Sequence, residues 1–137
     1  MVKGTGNSWR TNSQVVKRVG EDMVAEKKKE HNIRDIAKKL GFEFHEYLEV
    51  LDVFLDNTPG VIEDFKFCLE KNNLGKASEL CHLIKGGASS IGLELISGVA
   101  HEIEKACKNG SVSVVPVLLE KLEVLVAGLA EERKSMA

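Results

Sequence analysis

Aromatic side chains are scarce in this chain: one tryptophan, one tyrosine and five phenylalanines among 137 residues. Proline is rarer, at two, and nowhere do apolar and polar residues alternate over a strand length. These shortages argue against a β-sandwich or barrel, which draws on aromatic and β-branched strands. The three cysteines are odd in number and scattered, which argues against a disulfide framework and for a reducing compartment. No apolar run approaches the roughly 18 residues that span a bilayer, and the N-terminus lacks a secretory core. The expected location is the cytoplasm, for a free-standing protein or for a domain cut from a longer chain. An excess of one charge is missing too. The net charge is −2, so nothing global attracts nucleic acid. Lys27, Lys28 and Lys29 read as a solvated helix face.

What is present is helix-forming material. With 43% hydrophobic and 29% charged residues, the chain is long enough to bury one independent core. Residues 1–30 read as a flexible lead, with Trp9 its one anchor, followed by a candidate helix from Ser13 to Lys29 on Val15, Val16, Val19 and Met23. The domain proper is expected over residues 31–137. Ile33, Ile36, Ala37 and Leu40 give a short amphipathic helix ended by Gly41. Phe44, Tyr47, Leu48, Leu51 and Leu55 give the next. Asn57 or Thr58 is then expected to cap a separate helix with Pro59 in its first turn, running to Asn72 and Asn73. A helix over 74–90 follows, then one on Leu93, Ile96, Val99, Ala100, Ile103 and Cys107. The last starts near Ser113 and uses Val117, Leu118, Leu122, Leu125, Val126 and Leu129. Short connections make successive helices antiparallel neighbours. The expected fold is all-α, an antiparallel up-down four-helix bundle with one or two extra N-terminal helices. The four core helices are expected to start near Glu43, Thr58, Leu74 and Leu93, with the last packed against them; which one is peripheral the sequence leaves open.

The stretch from Ser78 to Gly92 is the informative one. At helical spacing Ala77, Leu80, Ile84, Gly87, Ala88 and Ile91 fall on one side, and Ser78, Glu79, His82, Lys85, Gly86 and Ser89 on the other. His82 is therefore expected in water, where an imidazole of ordinary pKa near 6.5 is mostly neutral and nucleophilic at neutral pH. Lys85, one turn on, is placed to stabilise negative charge added to that ring. Ser89, a further turn on, is placed to orient the imidazole directly or through water. Two adjacent glycines inside a helix cost about 1 kcal/mol each relative to alanine, so they call for another reason. For Gly86 that reason is a partner's close approach, with Ser78 and Glu79 sharing the docking face; for Gly87 it is close helix packing.

The run His82-Leu83-Ile84-Lys85-Gly86-Gly87-Ala88-Ser89-Ser90-Ile91-Gly92-Leu93 resembles the signature of histidine-containing phosphotransfer (HPt) domains. Ile96, Ala100, Ile103 and Glu104 fall where that family carries an apolar residue, a small residue, a leucine and a glutamate. The resemblance spans roughly Phe44 to Lys134. It implies a phosphorelay carrier that takes a phosphoryl group on His82 and exchanges it with the aspartate of a response-regulator receiver domain, with a sensor or hybrid histidine kinase upstream. It also implies that any Mg²⁺ belongs to the receiver, with no intrinsic cofactor here. The chain takes part covalently and is not read as an enzyme, having no ATP-binding segment. Two alternatives stand beside this reading: a degenerate HPt-like module that docks receivers unphosphorylated, and the phosphoacceptor module of a chemotaxis-type kinase.

Two other constellations fail on spacing. Lys85 precedes its glycines and sits in helix, whereas a nucleotide phosphate loop needs a preceding strand and a lysine after the glycines. Cys81, His82, His101 and Cys107 do not converge on a metal, because Cys81 and His82 diverge around their helix and His101 lies nearly opposite its own apolar stripe.

Overall fold

Apolar side chains at three- and four-residue spacing turn most of the chain into helix, and the computed structural model describes residues 33–136. The lead and candidate helix expected over 1–30, Trp9 included, lie outside the described residues. The elements are α1 (Ile33–Leu40), α2 (Phe44–Glu70), α3 (Leu74–Ser90), α4 (Glu94–Asn109), a 3₁₀ turn (Val112–Val114) and α5 (Val115–Lys134). Helices α2 to α5 are antiparallel in sequence order and form the four-helix bundle, with α1 the extra helix before it. No strand occurs among the described residues.

Two expectations about the helices are corrected. The helices expected to begin near Glu43 and Thr58 are one, the 27-residue α2, with Pro59 inside it. The reason is burial. Tyr47, Leu51, Phe54, Thr58, Ile62 and Phe65 keep an unbroken three-four spacing through Pro59, and all are buried. An interior proline costs about 3 kcal/mol or more through a lost N–H and a ring clash. Burying each large apolar side chain contributes about 1.5–3 kcal/mol, so the continuous stripe wins. Thr58 does not cap; its hydroxyl donates to the Phe54 carbonyl at 2.6 Å. The last helix is consequently a full member of the bundle. Its stripe is Val115, Leu119, Leu122, Val126 and Leu129, while Val117 is 68% exposed. The 3₁₀ turn delays the start of α5 and sets this phase.

The turn from α3 to α4 fixes the end of the bundle. Gly92 has φ +77°, a region that β-carbon sterics close to most residues. Leu93 N–H donates to the Ala88 carbonyl at 2.9 Å and Gly92 N–H to the Ser89 carbonyl at 3.1 Å, the paired bonds of a Schellman stop. A β-carbon at Gly92 would meet Ile36 Cγ2 at 2.7 Å, so α1 lies directly on this turn. Tyr47 locks it from α2, its hydroxyl donating to the Ile91 carbonyl at 2.6 Å.

Candidate functional site

Helices α3 and α4 make the most extensive contact in the bundle. Small buried residues permit this, Ala77, Cys81 and Ala88 on one side and Ala100 and Cys107 on the other. Their register is visible where the Ser97 hydroxyl donates to the Lys85 carbonyl at 3.3 Å. It sets Glu104 of α4 opposite the turn of α3 that carries His82 and Lys85.

Glu104 is the hub of the site. Its side chain is only 5% exposed, whereas that of His82 is 64% exposed. His82 Nδ1 lies 3.1 Å from Glu104 Oε2, and Lys108 Nζ lies 3.1 Å from the same oxygen. Lys85 Nζ sits 2.9 Å from Oε1, an ion pair off the hydrogen-bond direction, so Oε1 is shielded from water and held by charge alone. His101 Nδ1 lies 3.9 Å from Oε1. Burial by itself pushes the Glu104 carboxyl up, but the contacts from Lys85, Lys108 and His82, with the charge of Lys108, outweigh it and hold the carboxyl down at about 2. Glu104 is therefore an anion at neutral pH. An ionised carboxylate only accepts hydrogen bonds, so Nδ1 carries the imidazole proton and Nε2 keeps its lone pair.

The residues singled out from sequence fare differently. His82 and Lys85 share one surface, but the Lys85 charge is neutralised by Glu104. Ser89 is exposed and makes no direct hydrogen bond to the imidazole among the described residues, whereas Glu104 contacts the ring. Ser78 is buried, its hydroxyl donating to the Gly75 carbonyl at 2.9 Å. It is thus removed from the expected docking face, because a serine that bonds its own helix is small enough to be covered. Glu79 stays exposed. Gly86 is exposed with nothing within 4 Å of an added β-carbon. At Gly87 that carbon would meet only the Phe54 ring, at 3.5 Å, which is ordinary contact, so helix approach does not demand a glycine there. Cys81 and Cys107 are buried and free, and burial, followed by the neighbouring Cys107 and Glu104, pushes the Cys81 thiol up. Among the described residues no three His, Cys, Asp or Glu are grouped to hold a metal.

Glu104 and Lys108 had no role assigned from sequence. Glu104 fell on a family position, and the pair is spaced i, i+4 on α4. What the spacing lacked was the register between α3 and α4, which sets them beside His82.

A second feature flanks the histidine. Between α2 and α3 runs an apolar groove of roughly 400 Å³ lined by Val50, Val53, Phe54, Val61, Leu83 and Gly87 among others. Leu83, next to His82 in sequence, is 62% exposed at its edge.

The fold and site define a class: a helical bundle in which an exposed imidazole on one helix has its Nδ1 held against a buried carboxylate from the next. The family comparison says which. The family model described as Hpt domain matches residues 49–132, and the chain belongs to that family, whose role is phosphotransfer in two-component phosphorelays with response-regulator and kinase partners. No curated protein and no solved structure matched this chain.

Proposed function

We propose that this chain carries a phosphoryl group on Nε2 of His82, receiving it from, or returning it to, the aspartate of a receiver domain. The observation that carries the reading is the Nδ1 contact to Glu104. It leaves Nε2 as the nucleophile on the exposed edge of the ring. In the forward step the Nε2 lone pair forms a bond to phosphorus, the bond from phosphorus to the aspartyl oxygen breaks, and the carboxylate leaves with that electron pair. The proton stays on Nδ1. The ring thus becomes a phosphoryl imidazolium, and its positive charge faces the Glu104 carboxylate as it develops. The reverse step needs no proton transfer either, as suits a carrier.

The receiver supplies the aspartate and Mg²⁺ with its acidic ligands; this chain contributes a nucleophile and a docking face. It is a carrier rather than a turnover enzyme. The docking face is the groove between α2 and α3 together with Gly86, because exposed Val53 and Leu83, the latter next to His82 in sequence, line that groove and apolar surface of this kind marks contact sites. No helix among the described residues is long and apolar enough to cross a membrane. With three free cysteines, that fits the cytoplasm, where receivers and kinase catalytic domains meet.

The test is transfer from a panel of phosphorylated receiver domains to the wild type and to His82→Gln, scoring acid-labile, base-stable label. Label on the wild type alone supports the reading. A folded wild type that takes no label from any receiver or kinase while still binding one would leave a docking module instead.

A further inference from the structure

Two ammonium groups serve one carboxylate in this site, so with a neutral His82 the cluster carries one surplus positive charge beside the exposed ring. The two contacts are not equivalent. Lys85 is 26% exposed and holds Glu104 Oε1, an oxygen with no hydrogen-bond partner. If Lys85 leaves, a buried carboxylate oxygen loses its one close counter-charge, because His101 Nδ1 lies 3.9 Å away. Lys108 is 62% exposed and shares Oε2 with His82 Nδ1. If Lys108 leaves, Oε2 still accepts from the imidazole and that bond no longer has a competitor.

We infer that Lys108 is the phosphoryl-following cation of this site, leaving Glu104 for the phosphoryl oxygens when His82 is phosphorylated, while Lys85 stays as the anchor of Glu104. The inference rests on the phosphoacceptor reading and assigns the two lysines within it. The ammonium of Lys108 and Nδ1 flank the same oxygen, and a four-carbon stem on the last turn of α4 gives the ammonium freedom to follow charge at the ring edge. As Lys108 departs, the Nδ1–H bond to Glu104 is relieved of its rival, at the step where the ring acquires positive charge. One movement thus serves both ends of the imidazole.

The experiment uses the full chain and phosphoramidate, a small donor whose phosphorus–nitrogen bond breaks with loss of ammonia as the bond to His82 forms. The ³¹P signal of the product, assigned by its absence in His82→Gln, is titrated against pH. An adjacent ammonium stabilises the phosphoryl dianion and lowers its second pKa. Lys108→Ala is expected to raise that midpoint by about half a pH unit or more, with Lys108→Arg close to wild type. Lys85→Ala is expected to leave the midpoint near wild type and instead to alter the imidazole ¹⁵N shifts that report the Nδ1 proton. A midpoint raised by Lys85→Ala and unmoved by Lys108→Ala overturns the assignment while leaving the phosphoacceptor reading intact. A folded wild type with no His82 signal overturns both.

Discussion

At the scale of single residues, the side chain that contacts the His82 ring comes from another helix. Glu104 favours the Nδ1–H tautomer through Oε2 at 3.1 Å and, on the phosphoacceptor reading proposed above, offers the counter-charge for a cationic ring. Glu104→Ala is expected to slow phosphoryl transfer about ten- to a hundredfold, because Nδ1 then has no fixed partner and Lys85 and Lys108 are left as unbalanced charges. Glu104→Gln keeps an acceptor within reach of Nδ1 without the charge and is expected to fall between. Single-turnover transfer from a phosphorylated receiver measures both; equal rates in the two variants would separate the effect from charge. The shared face of His82, Lys85 and Gly86 was legible in the sequence because it lies within one helix, where 3.6-residue periodicity is a ruler. The link from His82 to Glu104 crosses 22 residues and depends on how two helices slide, which periodicity does not encode. Ser89 was read as an orienting group for the same reason: it shares a face with His82 on the one helix whose spacing could be read.

At the scale of elements, the sequence made the C-terminal stops plain and made α2 misleading. Gly41 and Asn72, read as helix ends, adopt positive φ, and Gly92 and Gly110 do the same at the ends of α3 and α4. Pro59 signals a break just as strongly, yet the helix continues because its buried side does. Pro59 is exposed on the outer side of α2, beside the equally exposed Gly60. Its ring therefore contributes no core packing, while its missing N–H leaves the Leu55 carbonyl without its i+4 donor. Pro59→Ala restores that donor and relieves the ring clash, against the entropy that alanine returns to the unfolded chain. The expected result is a net stabilisation of about 1–2 kcal/mol, measurable as a higher urea midpoint with unchanged slope. A loss of stability would mean that α2 needs its proline to bend around the core.

At the scale of the whole molecule, the bundle is closed by charge where apolar contact is thinnest. Helices α2 and α5 leave an open groove along Leu55, Pro59, Val126 and Ala130. Lys66 to Glu123 at 2.7 Å and the two-pronged Arg133 to Asp52 pair at 2.8 and 3.0 Å bracket that groove at either end. Glu104 ties α3 to α4 in the same manner, and its titration links the site to global stability. The carboxyl is lowered from 4.5 to about 2 on folding, so the folded state binds this proton less readily than the unfolded chain. Its contribution is therefore complete above about pH 4.5 and lost as pH falls toward 2. For a carboxylate only 5% exposed the shift corresponds to roughly 3 kcal/mol. Urea unfolding of wild type and Glu104→Gln at pH 7, 4 and 3 isolates it, since every other carboxylate is common to both proteins and cancels. The wild type is expected to lose stability faster on acidification, so that its difference from Glu104→Gln shifts against the wild type by that amount between pH 7 and the acid limit. Parallel pH dependences would show that the Glu104 carboxylate is not held by Lys85, Lys108 and His82 in solution, and the tautomer argument for His82 would fall with it.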